Sequence, residues 1–344
     1  MYIGVVGLNH KTCPVQTREK LFISVGRVRE ALGRFRKLYP ESECVILSTC
    51  NRTEVYTGSH ESQLDCQSLV EFLAEFQGVS PSEFADSLYH FEMEGCAKHL
   101  FCVASSVDSM IVGETQITAQ VKEVYQCALG DGFCGRTLNT LFQRALAVAK
   151  KVRTHTRISE GKVSVSSVAV DFAEEIFGKL RGRTVLVVGA GEMAELTLKH
   201  LVSRGASNVV VTNRTYEKAV QLAEEYGGEA VPMEELGEVL GKPDIVVCST
   251  SAAEHLIGKT NVQRTLRSRA DQPICFIDIA VPRNVDPEVG NLDNVYLHNI
   301  DDLESVVESN IEDRQGEIAR SLEIIESEVD RFMKWLETEP ASRS

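Results

Sequence analysis

The sequence predicts a multidomain α/β protein, and three observations support this prediction. The chain has 344 residues, which is more than one compact domain usually contains. Its 43% hydrophobic and 25% charged residues are typical of a globular protein with a substantial core. The spacing of the apolar residues also changes along the chain, from strands to helices and back to strands. These changes predict three segments, at 1–157, 158–300 and 301–344.

The first segment is predicted to be an α+β unit with a ferredoxin-like order of elements. The apolar spacing predicts short strands and amphipathic helices in the order β-α-β-β-α, at 2–9, 27–39, 44–49, 52–57 and 68–78. One more strand near 87–92 would complete the ferredoxin-like arrangement. From Ala97 to Arg157 the pattern is helical almost throughout. We therefore expect a small sheet followed by a helical region.

The second segment contains six short apolar runs that predict strands, at 184–189, 208–213, 229–233, 244–250, 273–280 and 294–299. Amphipathic helical stretches separate the early runs. Apolar strands that alternate with helices are typical of a parallel, doubly wound sheet. We therefore expect a Rossmann-type nucleotide-binding domain over 158–300.

The last segment shows no strand character and predicts one long acidic helix. Its apolar residues recur at heptad-like spacing, at Ile311, Ile318, Leu322, Ile325, Val329, Phe332 and Leu336. Such a seam fits a helix that packs back on its own chain. It equally fits a spacer or a dimer stalk, and the sequence leaves both alternatives open.

The composition excludes several classes of protein. Lys and Arg number 36 against 50 Asp and Glu, and the net charge of −14 disfavours non-specific coating of nucleic acid. No apolar run approaches the ~18 residues of a membrane helix, and the N-terminus lacks the pattern of a signal peptide. The ten cysteines include no C-x-x-C pair and no clustered metal-ligand set. We therefore expect a cytoplasmic protein with free thiols, no metal and no membrane segment.

A dinucleotide-binding loop is predicted where the first strand of the second segment ends. Gly189, Gly191 and Ala194 form a G-x-G-x-x-A pattern between that strand and the next helix. Small residues there permit a tight turn, a close approach to a pyrophosphate and close helix–strand contact, and the helix N-terminus favours phosphate. Ser249 and Thr250 end another strand at the same edge of the sheet, where ligands bind in such folds.

The choice of dinucleotide is predicted by the end of the second strand in this segment, at Asn213, Arg214 and Thr215. An acidic residue at this point would bind the ribose 2′-hydroxyl of NAD. A guanidinium favours the 2′-phosphate instead, so the sequence predicts NADP(H). Asp278 occupies a comparable strand, a position that is also compatible with orienting the backbone or capping the next turn.

Cys50 is a candidate nucleophile, because it follows an apolar strand but lies among polar residues. Arg52 stands two positions away, and a nearby cation with exposed loop N–H groups lowers the pKa of a thiol. A thiolate can attack an activated carbonyl, and a hydride donor can reduce the resulting thioester to an aldehyde. Most single cysteines are structural. The combination with an NADP-type domain that shows no obvious carbonyl-reducing dyad favours the nucleophile.

Candidate partners for Cys50 come from two histidines and a polar run. His99 lies early in a predicted helix and His10 follows the first strand, and either imidazole can act as an acid or base near neutral pH. A surface or capping histidine is the alternative. Polar side chains also interrupt an apolar stretch, at Ser109, Glu114, Gln116 and Gln120. They fit recognition of a small polar ligand and, equally, a network between helices.

The stretch 144–157 has a local charge that differs from the rest of the chain. It contains no acid and five cations, at Arg144, Lys150, Lys151, Arg153 and Arg157. This charge would suit a phosphate backbone. Cations at the C-terminal end of a helix explain part of it.

The sequence resembles the glutamyl-tRNA reductase family. Six blocks carry the resemblance, namely GLNHKTCPVQTREKL (7–21), LSTCNRTEVY (47–56), SMIVGETQITAQVKEVY (109–125), VVGAGEMAELTLKHL (187–201), VTNRTYEKA (211–219) and FIDIAVPRNVDP (276–287). The blocks occur in the same order as in the family, and the resemblance covers nearly the whole length of the chain.

The resemblance implies NADPH-dependent reduction of glutamyl-tRNA(Glu) to glutamate-1-semialdehyde, the first step of tetrapyrrole biosynthesis from glutamate. Cys50 matches the nucleophile that forms a thioester and releases the tRNA, and His99 matches a histidine important for activity. The substrate-pocket positions of the family match Thr49, Asn51, Arg52, Ser109, Glu114, Thr115, Gln116 and Gln120. The phosphate loop of the family matches Gly189, Ala190, Gly191, Glu192, Met193 and Ala194. Among these residues, Arg52 suits a substrate carboxylate, which a guanidinium binds through two hydrogen bonds.

The resemblance also implies partners. Members of the family form a homodimer through a helical domain that follows the long spinal helix, and this chain ends at Ser344 within or just after that helix. Transfer of the aldehyde to glutamate-1-semialdehyde aminomutase is a further expectation.

Two other functions stay open at this point. An NADP-dependent oxidoreductase similar to shikimate dehydrogenase would share the cofactor domain but need no cysteine nucleophile. A non-catalytic regulator would bind tRNA or nucleotide without forming an aldehyde.

Overall fold

The computed structural model describes residues 1–60, 64–109, 116–158, 165–269, 272–309 and 315–338. The chain divides into two compact units. The first unit contains residues 1–162 and 308–344, and the second unit contains residues 163–307. The three segment boundaries derived from the sequence stay a prediction.

Ten strands are present in the described residues, namely β1 (Tyr2–Asn9), β2 (Ser42–Ser48), β3 (Arg52–Ser59), β4 (Tyr89–Glu92), β5 (Thr184–Val188), β6 (Asn208–Thr212), β7 (Glu229–Val231), β8 (Ile245–Cys248), β9 (Ile274–Asp278) and β10 (Val295–Asn299). The helices of the same residues are α1 (Val15–Leu21), α2 (Val25–Leu38), α3 (Cys66–Gln77), α4 (Met93–Ala104), α5 (Gln116–Gly130), α6 (Arg136–His155), α7 (Val165–Phe177), α8 (Glu192–Ser203), α9 (Tyr216–Glu225), α10 (Leu236–Val239), α11 (Lys259–Ser268), α12 (Ile300–Ser309) and α13 (Gln315–Thr338). No helix in these ranges is long and apolar enough to cross a membrane.

The first unit contains a four-stranded antiparallel sheet in the order β2-β3-β1-β4. This is the ferredoxin-like order, and β4 is the strand expected near 87–92, so the predicted fold class is confirmed. β1 and β3 pair along their whole length, with Asn9 opposite Arg52. The residue after β1 and the turn before β3 therefore meet at the same end of the sheet.

The core of the first unit covers both faces of this sheet, because β1 and β3 are buried along nearly their whole lengths. Phe35 of α2 meets Phe72 of α3 edge to face, with ring centroids 5.3 Å apart. Tyr56 of β3 meets Phe142 of α6 in the same way at 5.4 Å. These apolar contacts hold the strands, and with them the turns at their ends, in fixed positions.

The heptad-like seam of the last segment packs on the chain itself, which was one of the two alternatives. α13 contacts α4 and α6, and its seam buries Ile325, Val329, Phe332 and Leu336. Phe332 meets Phe101 of α4 with ring centroids 6.2 Å apart. Ile318 packs partly against the same core, whereas Ile311 lies outside the described residues.

The second unit contains a six-stranded parallel sheet in the order β10-β9-β8-β5-β6-β7. All six strands correspond to the apolar runs of the sequence, so the predicted doubly wound Rossmann-type sheet is confirmed. The chain order reverses between β5 and β8, which are neighbours at the centre of the sheet. Ligands bind at this switch point in doubly wound folds, at the carboxyl ends of the strands.

Candidate active site and nucleotide pocket

Cys50 lies in the turn between β2 and β3, which we call the Cys50 turn (residues 48–52). The Thr49 N–H donates to the Arg52 carbonyl at 2.8 Å, and the Asn51 N–H donates to the Thr49 hydroxyl oxygen at 3.1 Å. Arg18 also donates from Nε to the Cys50 carbonyl at 3.2 Å. Hydrogen bonds therefore hold the turn on both sides of Cys50, whose side chain is half-buried.

The end of β1 adjoins the Cys50 turn. The His10 N–H donates to the Asn51 carbonyl at 3.0 Å, as the register of β1 and β3 requires. Lys11 follows, and its ammonium lies 2.7 Å from a carboxylate oxygen of Asp108. The candidate His10 thus adjoins the Cys50 turn in the same unit.

A buried carboxylate that the sequence analysis did not name, Glu54, is the centre of the hydrogen-bond network at this end of the sheet. Its side chain is fully buried. Four side chains on three elements donate to it or pair with it, namely Arg52 (2.7 Å), Tyr56 (2.6 Å), His99 (2.8 Å) and Tyr89. A buried charge is stable only when it is paired and hydrogen-bonded, and Glu54 meets both conditions.

The charge state of Glu54 follows from these partners. Burial alone would raise the pKa of this carboxyl, but the Arg52 guanidinium and the His99 ring lower it well below its usual range. Glu54 is therefore an anion at all working pH values. The bond to this anion assigns a proton to Nε2 of His99, because a carboxylate only accepts hydrogen bonds.

The sequence carried two signals for Glu54. Arg52, Glu54 and Tyr56 alternate along β3, so their side chains lie on one face of the strand. On the opposite strand, a Cβ at Gly7 would lie 2.7 Å from the Glu54 Cγ, so glycine there makes room for the carboxylate. The first signal needs only the predicted strand, whereas the second needs the register of β1 and β3.

Arg52 is enclosed by protein groups. Its guanidinium donates to Glu54 and to the Asp108 carbonyl, and a further contact of 3.5 Å reaches the Asp108 carboxylate. The residue is only 2% exposed. In this structure Arg52 therefore joins β3 to the segment before Ser109, and its binding of a substrate carboxylate stays a prediction.

The other predicted substrate residues lie in the same unit. Asn51 Oδ1 and the Ser109 hydroxyl are buried and have no hydrogen-bond partner among the described residues. Gln116 and Gln120 are half-buried in the first two turns of α5. Glu114 and Thr115 lie outside the described residues. The assignment of these residues to a substrate pocket stays a prediction.

The glycine loop after β5 has the backbone that the sequence pattern requires. Gly189 has a φ of +109°, and a Cβ there would lie 2.4 Å from the Ser249 carbonyl oxygen. Gly191 precedes α8, and a Cβ there would meet nothing within 4 Å. Ala194 is fully buried in the first turn of α8, where Glu192 and Met193 precede it. Glycine at position 189 thus permits the tight turn, whereas Gly191 borders open space.

That open space is a cavity of about 430 Å³, the nucleotide pocket. Its walls come from the ends of β5, β6 and β8 and include Ala190, Gly191, Asn213, Arg214, Thr215, Lys218, Ser249 and Thr250. The sequence analysis named all of these except Lys218. Lys218 lies in the first turn of α9, four positions after Arg214. This short distance in the sequence is the signal that could have identified Lys218.

Asp278 at the end of β9 organises the loop beside the pocket. Its carboxylate accepts backbone N–H groups from Ala280, Asn284 and Val285, at 3.2, 2.8 and 2.8 Å. Asn284 in turn accepts the Thr250 N–H at 2.9 Å. Burial raises the pKa of Asp278 to about 7, although the three N–H groups oppose this shift. Of the roles considered for Asp278, orienting the backbone is the one seen.

The basic stretch 144–157 is partly used within the protein. The Arg144 guanidinium lies over the Trp335 ring at 5.5 Å, and Lys151 pairs with Glu328 at 2.8 Å. Both contacts attach α6 to α13. Lys150 and Arg153 are exposed, and their binding of a phosphate backbone stays a prediction. No group of three or more potential metal ligands occurs among the described residues.

Comparisons with known proteins agree with this geometry. The family model described as glutamyl-tRNAGlu reductase, N-terminal domain, matches residues 6–156, and the shikimate / quinate 5-dehydrogenase model matches residues 171–306. The second unit therefore has an NAD(P)-type nucleotide-binding fold.

Relatives extend over both units. The glutamyl-tRNA reductase of Thermodesulfovibrio yellowstonii is 48% identical over 310 residues, which cover 88% of this chain and 72% of that protein. The glutamyl-tRNA reductase of Magnetococcus marinus is 45% identical over 303 residues, with the same coverage of 88% and 72%. The solved glutamyl-tRNA reductase of Methanopyrus kandleri is 38% identical and has a TM-score of 0.52, with coverage of 97% of this chain and 80% of that one. The chain belongs to the glutamyl-tRNA reductase family.

Proposed function

We propose that this protein reduces glutamyl-tRNA(Glu) to glutamate-1-semialdehyde with NADPH and releases the tRNA, through a thioester on Cys50. This reaction is the first step of tetrapyrrole biosynthesis from glutamate. The observation that carries the proposal is the position of Cys50. It lies in a hydrogen-bonded turn at the end of the sheet where Arg52, Glu54 and His99 form their network. The nucleotide pocket of the second unit supports the reductive half of the reaction.

The first half of the reaction is an acyl transfer to Cys50. The thiolate sulfur bonds to the ester carbonyl carbon, and the π electron pair moves to the carbonyl oxygen. When this adduct collapses, the bond to the ribose oxygen of the tRNA breaks, and that oxygen takes a proton. The products are a Cys50 thioester and free tRNA.

His99 is suited to the proton transfers of these steps. Its Nε2 is bonded to Glu54, so Nδ1 is the ring atom left to exchange a proton with the leaving oxygen. Since Glu54 is anionic, it accepts the Nε2 hydrogen bond throughout the reaction. Glu54 thus positions His99 and fixes its tautomer.

The second half of the reaction is reduction of the thioester. NADPH, when bound, supplies a hydride. Cys50 then leaves the reduced carbon as a thiolate, and the carbonyl that re-forms is the aldehyde of the product. The thiol is regenerated for the next turnover.

The residues of the nucleotide pocket fit NADPH. Open space at Gly191 lets a pyrophosphate approach the backbone at the N-terminus of α8. Arg214 and Lys218 both border the pocket beside the end of β6, and two cations at this point suit a 2′-phosphate. The pocket walls contain no carboxylate among the described residues, so nothing there favours a free 2′-hydroxyl.

The relatives favour the reductase over the other two functions. Similarity to the shikimate / quinate dehydrogenase model is confined to residues 171–306, whereas the relatives match both units. The homodimer, the transfer to glutamate-1-semialdehyde aminomutase and the cytoplasmic location stay predictions that rest on the family resemblance and the sequence.

The test is to mix the protein with tRNA charged with labelled glutamate, without NADPH, and to look for label on Cys50 by mass spectrometry. We expect label on Cys50, and we expect added NADPH to discharge it as an aldehyde. Cys50→Ser should take up no thioester label, and Cys66→Ser, which changes another half-buried thiol, should behave as the unmodified protein. Aldehyde formation by Cys50→Ser at the unmodified rate would contradict the proposal, as would folded protein that binds the charged tRNA but never acylates.

A further inference from the structure

His10 is a second histidine of the candidate active site, and its environment differs from that of His99. It directly follows β1, and its backbone is bonded to Asn51 in the Cys50 turn. Both ring nitrogens are buried from solvent, and neither has a hydrogen-bond partner among the described residues. His99, by contrast, is anchored to Glu54 at 2.8 Å.

An imidazole with two buried and unpaired nitrogens is costly. Each buried polar group without a partner lowers stability by about 1–3 kcal/mol, so folded proteins rarely keep such groups without a use for them. Asn51 Oδ1 and the Ser109 hydroxyl also have no hydrogen-bond partner in the described part of the chain. Asn51 lies in the Cys50 turn, and Ser109 directly follows Asp108. Four of the six such atoms among the described residues belong to His10, Asn51 and Ser109, and the other two belong to His90 and Ser105. A polar molecule bound beside the Cys50 turn would satisfy the first group.

The charges around His10 determine its protonation state. Burial lowers the pKa of the imidazole to about 3, and the positive charge of Arg52 acts in the same direction. Lys11 and Arg18 add to this effect, and only Asp108 opposes it. His10 is therefore neutral at working pH, with one N–H donor and one lone pair.

A neutral imidazole in this position is a poor base but a good hydrogen-bond donor. It stays neutral chiefly because it is buried, and the charges of Arg52, Lys11 and Arg18 act in the same direction. These cations also favour negative charge that develops nearby. The acyl oxygen of the substrate gains such charge when Cys50 attacks. His10 can donate to this oxygen without giving up its proton.

We propose that the ring N–H of His10 donates a hydrogen bond to the acyl oxygen of the bound glutamyl ester and stabilises it during the attack by Cys50. This inference rests on the proposed function and adds a residue to it. The two histidines then have separate tasks, because His99 exchanges protons whereas His10 remains neutral throughout the cycle. The two histidines differ because His99 is hydrogen-bonded to an anion, whereas His10 is buried near cations.

The experiment is a single-turnover measurement of Cys50 acylation by labelled glutamyl-tRNA without NADPH, from pH 6 to 9. His10→Phe keeps a ring but removes both nitrogens, and we expect the acylation rate to fall about 100-fold, as for loss of one such donor in other enzymes. His10→Asn keeps an N–H near the Nδ1 position and should retain more of the rate than His10→Phe. His90→Phe, a change of another half-buried histidine of the first unit, is the matched control and should acylate normally.

Two further readouts separate this role from a structural or a basic one. The shape of the pH profile should be the same in His10→Phe and the unmodified protein, because a neutral donor does not titrate in this range. The rate of Cys50 alkylation by iodoacetamide should also be unchanged, since His10 acts on the acyl oxygen and not on the thiol.

Other outcomes would overturn the inference. Normal acylation by His10→Phe would do so while leaving the proposed function intact. A parallel fall of acylation and alkylation would assign His10 to the thiol, and loss of an acidic limb of the profile would make it a base. If His10→Phe does not fold, His10→Asn decides by the same three readouts. Absence of a thioester in the unmodified protein would instead count against the proposed function.

Discussion

Glu54 and His99 are 45 positions apart in the sequence, and the Nε2 atom of His99 lies 2.8 Å from a carboxylate oxygen of Glu54. One residue lies in β3 and the other in α4, so the orientation of the histidine depends on how this helix packs on the sheet. Arg52 pairs with the same carboxylate oxygen at 2.7 Å. A single buried anion therefore connects the Cys50 turn to the candidate acid–base residue.

Glu54→Gln should lower both stability and activity. The change removes the negative charge and leaves the buried Arg52 guanidinium with only the 3.5 Å contact to the Asp108 carboxylate as an ion pair among the described residues. Loss of one partner of a buried ion pair typically costs about 3–5 kcal/mol, and the remaining contact places the expected cost at the lower end of this range. Since His99 also loses the anion that fixes its tautomer, acylation of Cys50 should slow. Urea unfolding measures the first effect, and single-turnover kinetics measure the second.

Tyr56→Phe is the matched control for Glu54→Gln. It removes one hydrogen bond to the same carboxylate but keeps the ion pair, so the loss of stability should be about 1.5–3 kcal/mol. The acylation rate should then change little, because His99 keeps its anionic partner. Equal stability of Glu54→Gln and the unmodified protein would show that the network has no energetic role.

His10 should make the stability of the first unit depend on pH. Its pKa is lowered from 6.5 to about 3 in the folded protein, so below pH 6.5 the unfolded chain binds a proton that the folded chain does not. The stabilisation associated with neutral His10 is present above pH 6.5 and declines as the pH falls towards 3. Urea unfolding at several pH values between 7.5 and 4.5 should show a steeper decline for the unmodified protein than for His10→Phe. Parallel curves would contradict the shift.

The two glycines of the nucleotide loop should respond differently to alanine. Gly189→Ala places a Cβ 2.4 Å from the Ser249 carbonyl oxygen at a φ of +109°, so it should destabilise the second unit and prevent cofactor binding. Gly191→Ala meets no protein atom within 4 Å, so it should leave stability unchanged and weaken only cofactor binding. Thermal unfolding together with NADPH titration distinguishes the two, and equal destabilisation by both changes would refute this account.

Arg214 and Lys218 should determine the preference for NADPH. A hydrogen bond to a charged group contributes about 1.5–3 kcal/mol, so Arg214→Gln should weaken NADPH binding roughly 10- to 150-fold. Lys218→Gln should have a smaller effect of the same sign, and NADH binding should change little in either variant. Lys199→Gln, an exposed cation of α8, is the control. Equal loss of NADPH and NADH affinity would show that neither cation contacts the 2′-phosphate.

Among substitutions in α13, Phe332→Ala should lower the free energy of unfolding most. Its side chain is fully buried between Phe101 and Trp335, and replacing such a residue with alanine typically costs about 3–5 kcal/mol. Lys334→Ala on the exposed side of the same helix should change stability by less than about 0.5 kcal/mol. Urea unfolding of both variants provides the comparison, and a similar effect of both would indicate that α13 contributes little to the fold.

Much of the fold could be predicted because its signals are local. The apolar runs at β5 to β10 and the glycine loop after β5 identify the parallel sheet without any knowledge of pairing. The ferredoxin-like sheet was also predictable, since the element order allows few arrangements.

The Glu54 network could not be predicted in the same way, because it forms between elements. Glu54 meets Arg52 and Tyr56 on one strand but His99 and Tyr89 through tertiary packing, and no pattern in the sequence states which helix faces β3. The enclosure of Arg52 is unpredictable for the same reason, since its partner Asp108 lies 56 positions away. Lys218 is different, because its position four residues after Arg214 is a local signal that needs no knowledge of tertiary packing.

The chain leaves the first unit after residue 162 and returns to it at residue 308, and α13 then buries Ile325 and Phe332 in the first unit's core. During translation the second unit is therefore fully synthesised before the first unit can be completed. Nascent chains usually finish their domains in order from the N-terminus, and this topology reverses that order. Until α13 emerges from the ribosome, the surfaces of α4 and α6 that it covers are open to chaperones.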